Sequence, residues 1–271
     1  MRLASTVMLV RPRTAEPDFE VFMLRRSSRS AFAPDVFVFP GGTVDDADAS
    51  DAMLARAVGI QPARLRAMFR SERTPLLHAP ANEPTENERA GLVVAALREL
   101  YEEAGVLLTA HGDGTPTSPR FLLENAIRLE QAREAVRKGT IPFSNLLAEY
   151  DVYADGTALT LFSQWMTPPG EPRRYNAYFF LGRAAVDQSA LADAFETHDG
   201  IWIQPQVALD RAAAGTFAMV YPTVKHVERL AHYRKLDDLV QFARAKRILR
   251  IMPHCTHDEG FTLPPELEFA W

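Results

Sequence analysis

Short apolar runs open the chain. Residues 5–11 (Ser-Thr-Val-Met-Leu-Val-Arg) stop at Pro12, and residues 19–25 (Phe-Glu-Val-Phe-Met-Leu-Arg) follow after a turn-like spacer. This pattern predicts two strands joined as a hairpin. A third short strand is expected over 36–39, halted by Pro40-Gly41-Gly42, since glycine admits backbone conformations other residues avoid. The periodicity then changes, and residues 52–59 and 62–70 read as short helices, followed by a polar, proline-bearing stretch over 71–87. The clearest helix comes next. Leu92, Val93, Ala96, Leu97, Leu100 and Ala104 recur at helical spacing, Thr85 and Glu88 form a capping box ahead of them, and Gly105 stands where a helix stops.

Beyond Val106-Leu107-Leu108 and a Gly-rich turn, a long amphipathic helix is predicted over 119–138, with a further helical turn or two over 143–150. Residues 159–166 and 175–181 are aromatic-rich strands linked through Thr167-Pro168-Pro169-Gly170, and Trp202 lies in a short strand over 200–203. Residues 205–215 and 222–251 look helical, and the tail from Pro253 looks irregular. Strands and helices mix without regular alternation. That favours an α+β fold, an α/β/α sandwich, over a doubly wound sheet.

With 47 % apolar residues, a formal charge of −5 and 271 residues, the chain can bury a sizeable core, and general disorder is excluded. The charge weighs against nucleic acid as a partner. A single cysteine, Cys255, excludes an internal disulfide framework and fits a reducing, cytoplasmic setting. No apolar window approaches a membrane span. Composition leaves a homodimer open.

The chemistry concentrates on the strong helix. At 100° per residue, Arg98, Glu99, Glu102 and Glu103 share one face. Grouped carboxylates repel unless a cation offsets them, and hard oxygen donors suit Mg²⁺ or Mn²⁺. A solvated helix face also accounts for these four residues taken alone.

Together with Phe39-Pro40-Gly41-Gly42 upstream and Gly105-Val106 downstream, they resemble the Nudix hydrolase family, whose box reads G-x5-E-x7-R-E-U-x-E-E-x-G-U, with U a bulky aliphatic residue. The second half is complete here. In the first half, the six-residue step from Gly42 lands on Asp48, where the family has glutamate. Between Asp48 and Arg98 lie 49 residues instead of 7, so the box is split by about 42 residues, read as a helical insertion over 49–90. The split box resembles the branch of peroxisomal coenzyme A diphosphatases. So do Leu24-Arg25-Arg26-Ser27 and the segment Trp165-Met166-Thr167-Pro168-Pro169-Gly170-Glu171-Pro172-Arg173-Arg174-Tyr175.

The resemblance implies one elaborated catalytic domain over 1–271, with a C-terminal extension from about 231. It implies a mixed sheet with flanking helices and metal-dependent hydrolysis of a nucleoside diphosphate linked to another group. Coenzyme A or acyl-coenzyme A comes first; ADP-ribose, NADH, dinucleotide polyphosphates, capped RNA and a non-catalytic nucleotide-binding module are the alternatives. It also implies the roles. Glu99, Glu102 and Glu103 hold Mg²⁺ or Mn²⁺, the Gly42 carbonyl completes the shell, and Arg98 fixes the carboxylates. Arg26, Arg29, Arg173 and Arg174 are the candidate substrate-binding residues. Arg29 stands earlier than the branch arginine, and Asn176-Ala177-Tyr178 replaces the branch's Asp-Thr-Arg.

Asp48 and, as a general base, Glu196 remain open candidates. Trp165, Tyr175, Phe179 and Phe180 are expected in the core more than stacked on a base. His254-Cys255-Thr256-His257 reads as part of the tail instead of a metal site.

Overall fold

The computed structural model describes residues 1–26, 35–73, 83–184, 200–256, 260–267 and 271. The chain runs β1 (Arg2–Pro12), β2 (Phe19–Arg25), β3 (Phe37–Val38), β4 (Gly41–Thr43), α1 (Asp51–Leu54), β5 (Ala57–Val58), α2 (Pro62–Met68) and β6 (Ser71–Arg73). Helix α3 (Glu86–Ala104) follows, then β7 (Thr109–Ala110), α4 (Pro119–Glu124), α5 (Ala126–Arg137), α6 (Phe143–Glu149), β8 (Tyr153–Asp155), β9 (Leu159–Met166) and β10 (Tyr175–Arg183). Beyond β11 (Gly200–Ile203) come α7 (Pro205–Ala213), α8 (Tyr221–Ala231), α9 (Leu236–Ala245), β12 (Ile248–Ile251), β13 (His254–Thr256) and β14 (Gly260–Thr262).

The central sheet is ordered β11-β2-β1-β10-β9-β12-β6, with β3 added to β2 and β4 to β1. It is mixed: β1 runs parallel to β10 and antiparallel to β2 and β4. Alternation along β1 divides the core. Val7 and Leu9 pack on the α3 side with Phe22, Leu161, Phe180, Leu97 and Leu100. Met8 and Val10 face Phe162, Trp165, Val227, Leu230, Leu239 and Trp271. A period of two with both halves buried means helices cover both faces, which is the expected sandwich.

Helix α3 is as its sequence dictates. Thr85 accepts from the Glu88 amide, the Glu88 carboxylate accepts from the Thr85 amide, and Gly105 closes the helix at φ +69. It is buried on more than one stripe because the segment before it packs on its outer side. A Cβ on Gly91 would meet Ala49 and Val44 at 3.2 and 3.3 Å.

Five expectations need correction. Gly41-Gly42-Thr43 is a strand rather than the end of one, pairing with Ala4, Ser5 and Thr6. Helix 52–59 is shorter, because Ala57 and Val58 pair with β8. Helix 119–138 breaks at Asn125, whose side-chain amide donates to the Phe121 carbonyl at 2.9 Å and competes with the helical ladder. Helix 222–251 is two helices and a strand. Asp18 accepts from the Leu236 amide at 2.6 Å and restarts the helix there, while Ile248–Ile251 is a fully buried run that joins β9. The tail from Pro253 also contains a small hairpin, β13 on β14. Trp165, Phe179 and Phe180 are core residues, 3 %, 7 % and 0 % exposed, as expected, and Tyr175 is partly buried.

Candidate active site

Two elements build the site: the C-terminal half of α3 and the β4 strand with the acidic turn after it. Arg98 is the hub. Its Nε and Nη2 donate to the two Asp48 carboxylate oxygens at 2.7 and 2.9 Å. Nη2 also donates to the Thr43 carbonyl at 3.2 Å, and Asp45 lies 3.7 Å away. Nη1 donates to Glu99 at 2.9 Å and to Glu102 at 3.1 Å. A planar fork can do this where an ammonium cannot, because it presents several donors in fixed directions.

The structure settles where Asp48 lies. It is 2 % exposed and bidentate on Arg98. A 3-10 turn over Asp46–Ala49 carries it inward, and its second oxygen also accepts from the Asp45 amide at 2.9 Å. The 49 intervening residues leave the box closed in space.

Strand β4 serves the other side. The Gly41 amide donates to Glu103 Oε2 at 2.9 Å. Gly42 makes room: a Cβ there would lie 2.4 Å from Glu99 Oε1. Sequence reading treated Pro40-Gly41-Gly42 as punctuation and missed the Gly41 amide as a site donor. The signal was the pair of adjacent glycines, which marks close backbone approach as much as a turn.

The electrostatics are those of an anionic set with one central cation. Burial, with Glu103 and Glu102 nearby, raises Glu99 to about 7 despite Arg98. Burial, with Glu102 adding, raises Glu103 to about 6, against the pull of the Gly41 amide and Arg26. Among the described residues no three acidic, histidine or cysteine side chains converge as a metal-holding group. Arg98 takes one oxygen each of Glu99 and Glu102, and Glu103 is turned to β4. The donor chemistry still fits a hard divalent cation, being oxygen only and crowded enough to resist full ionisation.

The remaining candidates separate. Arg26 follows β2 and acts electrostatically on Glu103. Arg174 donates from Nε and Nη2 to the Thr167 carbonyl, closing the β9–β10 connection, and Arg173 is exposed. Among the described contacts neither touches the carboxylates. Asn176 and Tyr178, which stand where the coenzyme A branch has Asp and Arg, are buried, and Asn176 accepts from Gln164 at 2.8 Å. Arg29, Glu196 and His257 lie outside the described residues.

A family model for the NUDT19 Nudix domain matches residues 1–230. The chain belongs to the Nudix hydrolase family. That family, together with relatives named acyl-coenzyme A diphosphatase, supports a Nudix diphosphatase enzyme. Its relatives include acyl-coenzyme A diphosphatase NUDT19 of Homo sapiens, 30 % identical over 272 residues, covering 91 % of this chain and 72 % of the human protein. The Gallus gallus protein of the same name is 31 % identical over 254 residues, covering 83 % of this chain and 65 % of its own length. The crystal structure of a Nudix hydrolase from Alicyclobacillus acidocaldarius covers 89 % of this chain and 96 % of its own at a TM-score of 0.61 and 24 % identity, a shared fold. No helix among the described residues is long and apolar enough to cross a membrane.

Proposed function

We propose that this Nudix protein hydrolyses the diphosphate linkage of coenzyme A or acyl-coenzyme A with Mg²⁺ or Mn²⁺, releasing an adenine nucleotide and a phosphopantetheine product. The observation that carries the reading is the Arg98–Asp48–Glu99–Glu102–Glu103 cluster against β4, in a chain similar to proteins named acyl-coenzyme A diphosphatase. Glu99, Glu102 and Glu103, with the Gly42 carbonyl, would hold the cation. When bound, it supplies positive charge against the diphosphate and lowers the cost of activating water.

The chain's own residues do the rest. Arg98 is anchored by Asp48, so its fork holds Glu99 and Glu102 at a fixed separation. The Gly41 amide holds Glu103 on the strand side. Glu99, which Arg98 also holds, would be a ligand of the cation or help position the attacking water. Arg26, whose charge acts on Glu103, would meet a substrate phosphate oxygen, and Arg29 is kept as a further candidate. Arg173 is exposed and free of the carboxylates, which suits a role at the rim, whereas Arg174 serves the β9–β10 connection first. A single domain over 1–271 is supported by β6 from the insertion and β12 from the extension joining the same sheet.

The test is metal-dependent turnover on coenzyme A, acyl-coenzyme A, ADP-ribose, NADH, dinucleotide polyphosphates and capped RNA, with Glu102→Gln as control. Coenzyme A compounds are expected to lead, and Glu102→Gln to lose roughly 10³-fold in kcat, about 4 kcal/mol of barrier. A variant as active as the parent would overturn the metal assignment. Preference for another diphosphate would overturn the substrate.

A further inference from the structure

Two contacts reach the last turn of α3 from outside the box. The Tyr101 hydroxyl donates to the Leu129 carbonyl of α5 at 2.5 Å, and Arg133 Nη1 donates to the Glu102 carbonyl at 3.1 Å. The Glu102 carbonyl is one of the last four of the helix, which have no amide four residues ahead inside it. Arg133 is itself held. Its Nε and Nη2 donate to the two Glu130 oxygens at 2.8 and 2.6 Å, and the side chain is 18 % exposed. It lies against the helix end, its Cδ and Nε 3.8 Å from where a Cβ on Gly105 would stand. A guanidinium here satisfies an orphan acceptor and offsets the negative end of the helix dipole.

We propose that Arg133 is a positioning residue for the metal-holding carboxylates, supplied by a helix outside the Nudix box. It rests on the metal reading above. The turn it braces carries Glu102 and Glu103, which repel each other, and helix ends fray when nothing holds them. Arg98 holds this turn by its side chains, and Arg133 holds it by its backbone. The spacing of the carboxylates against Gly41 and Gly42 then depends on both.

The test uses the full chain with Arg133→Ala, Arg133→Lys and, as a surface control, Arg120→Ala. Mn²⁺ affinity by calorimetry, amide exchange over residues 99–106, thermal midpoint and coenzyme A turnover are measured together. Arg133→Ala is expected to weaken Mn²⁺ binding about tenfold, to speed exchange over 99–106, and to lower kcat while KM stays within about twofold. Arg133→Lys should recover most of the affinity, since one ammonium can reach one carbonyl. Arg120→Ala should match the parent.

Unchanged Mn²⁺ affinity and exchange in Arg133→Ala would overturn the proposal, as would a lysine variant no better than alanine. If Arg133→Ala does not fold, Glu130→Gln replaces it, keeping the arginine but loosening its anchor. An affinity loss of about threefold supports the proposal, and none overturns it. A parent chain that binds no Mn²⁺ overturns the metal reading itself, whereas a binding parent with an indifferent Arg133→Ala overturns only the brace.

Discussion

The α3 face of the central sheet buries an arginine shared among Asp48, Glu99 and Glu102, while the opposite face buries His226. His226 is fully buried. Its Nδ1 donates to the Pro222 carbonyl at 2.6 Å, so in the neutral ring Nε2 accepts from the Ser163 hydroxyl at 2.7 Å. Phe179 stacks on it at 4.0 Å, and Trp271 and Trp165 close around it at 4.9 and 5.4 Å. Burial holds its pKa down to about 3, with Lys246 and Arg229 nearby adding to that and the Pro222 carbonyl opposing it. Every polar atom of that imidazole is satisfied within the fold, and its walls are aromatic. The Arg98 cluster has the opposite character. It carries more negative charge than its arginine offsets, and burial leaves Glu99 and Glu103 reluctant to ionise. Both clusters are buried and polar, but the imidazole's own polar atoms are all paired, whereas the carboxylate side holds unspent charge. That separates a packing device from a site, better than burial or residue type does.

Substitutions can break this contrast. The largest effect is expected at Asp48→Asn, which removes the buried counter-ion of Arg98. It should cost about 3 kcal/mol in denaturant unfolding, at the low end for a broken buried pair because Glu99 and Glu102 still engage the fork. Turnover should fall about tenfold or more with it. His226→Ala should cost about as much, near 3 kcal/mol, through the cavity and the unpaired Ser163 hydroxyl. Its folded fraction should keep parental turnover. A matched loss of turnover there would erase the distinction between the two faces.

A smaller effect is expected at Gly42→Ala. The added Cβ meets the far end of a flexible side chain, so the thermal midpoint should move by only about 2 °C. Displacing Glu99 should still lower turnover about tenfold.

The smallest effect is in the pH profile of the metal-free chain. The unfolded state releases its glutamate protons near 4.5, while folded Glu103 and Glu99 keep theirs to about 6 and about 7. The folded state therefore binds more protons in that window, and their contribution to stability falls as pH rises from 4.5 to 7. His226 works in the other direction. Its contribution is full above 6.5 and is lost as pH falls towards 3, because only the unfolded chain takes up the proton. Between pH 4.5 and 6.5 the two act with opposite sign, so unfolding curves should show stability falling less steeply with pH in Glu99→Gln and more steeply in His226→Ala than in the parent. Both variants changing that slope in the same direction would refute the assignment.

Local chemistry made much of this legible before any coordinates. The α3 caps, its apolar positions and the shared face of Arg98, Glu99, Glu102 and Glu103 follow from spacing alone, since helical geometry depends on neighbours three and four residues away. The β1–β2 hairpin and strands β9, β10 and β11 were equally plain from alternation and turn residues. The break before Leu236 was not, because it turns on Asp18, 218 positions from the amide it binds, whereas the break at Asn125 turns on a local bond to the Phe121 carbonyl that an asparagine inside a helical pattern already signals.

The sequence alone therefore determined the family, the carboxylate helix and the two-sided sheet. Tertiary structure alone decided that Asp48 returns across 49 residues to Arg98, that Gly41 and Gly42 are a strand against the carboxylates, and that Arg174 is tied to the Thr167 carbonyl. It also decided that α5 lays Arg133 on the end of the box helix. The reason is the range of the forces. Helical and strand periodicities are set by covalent neighbours and can be read along the chain, whereas a buried ion pair forms only where burial has removed the water that would otherwise compete for it.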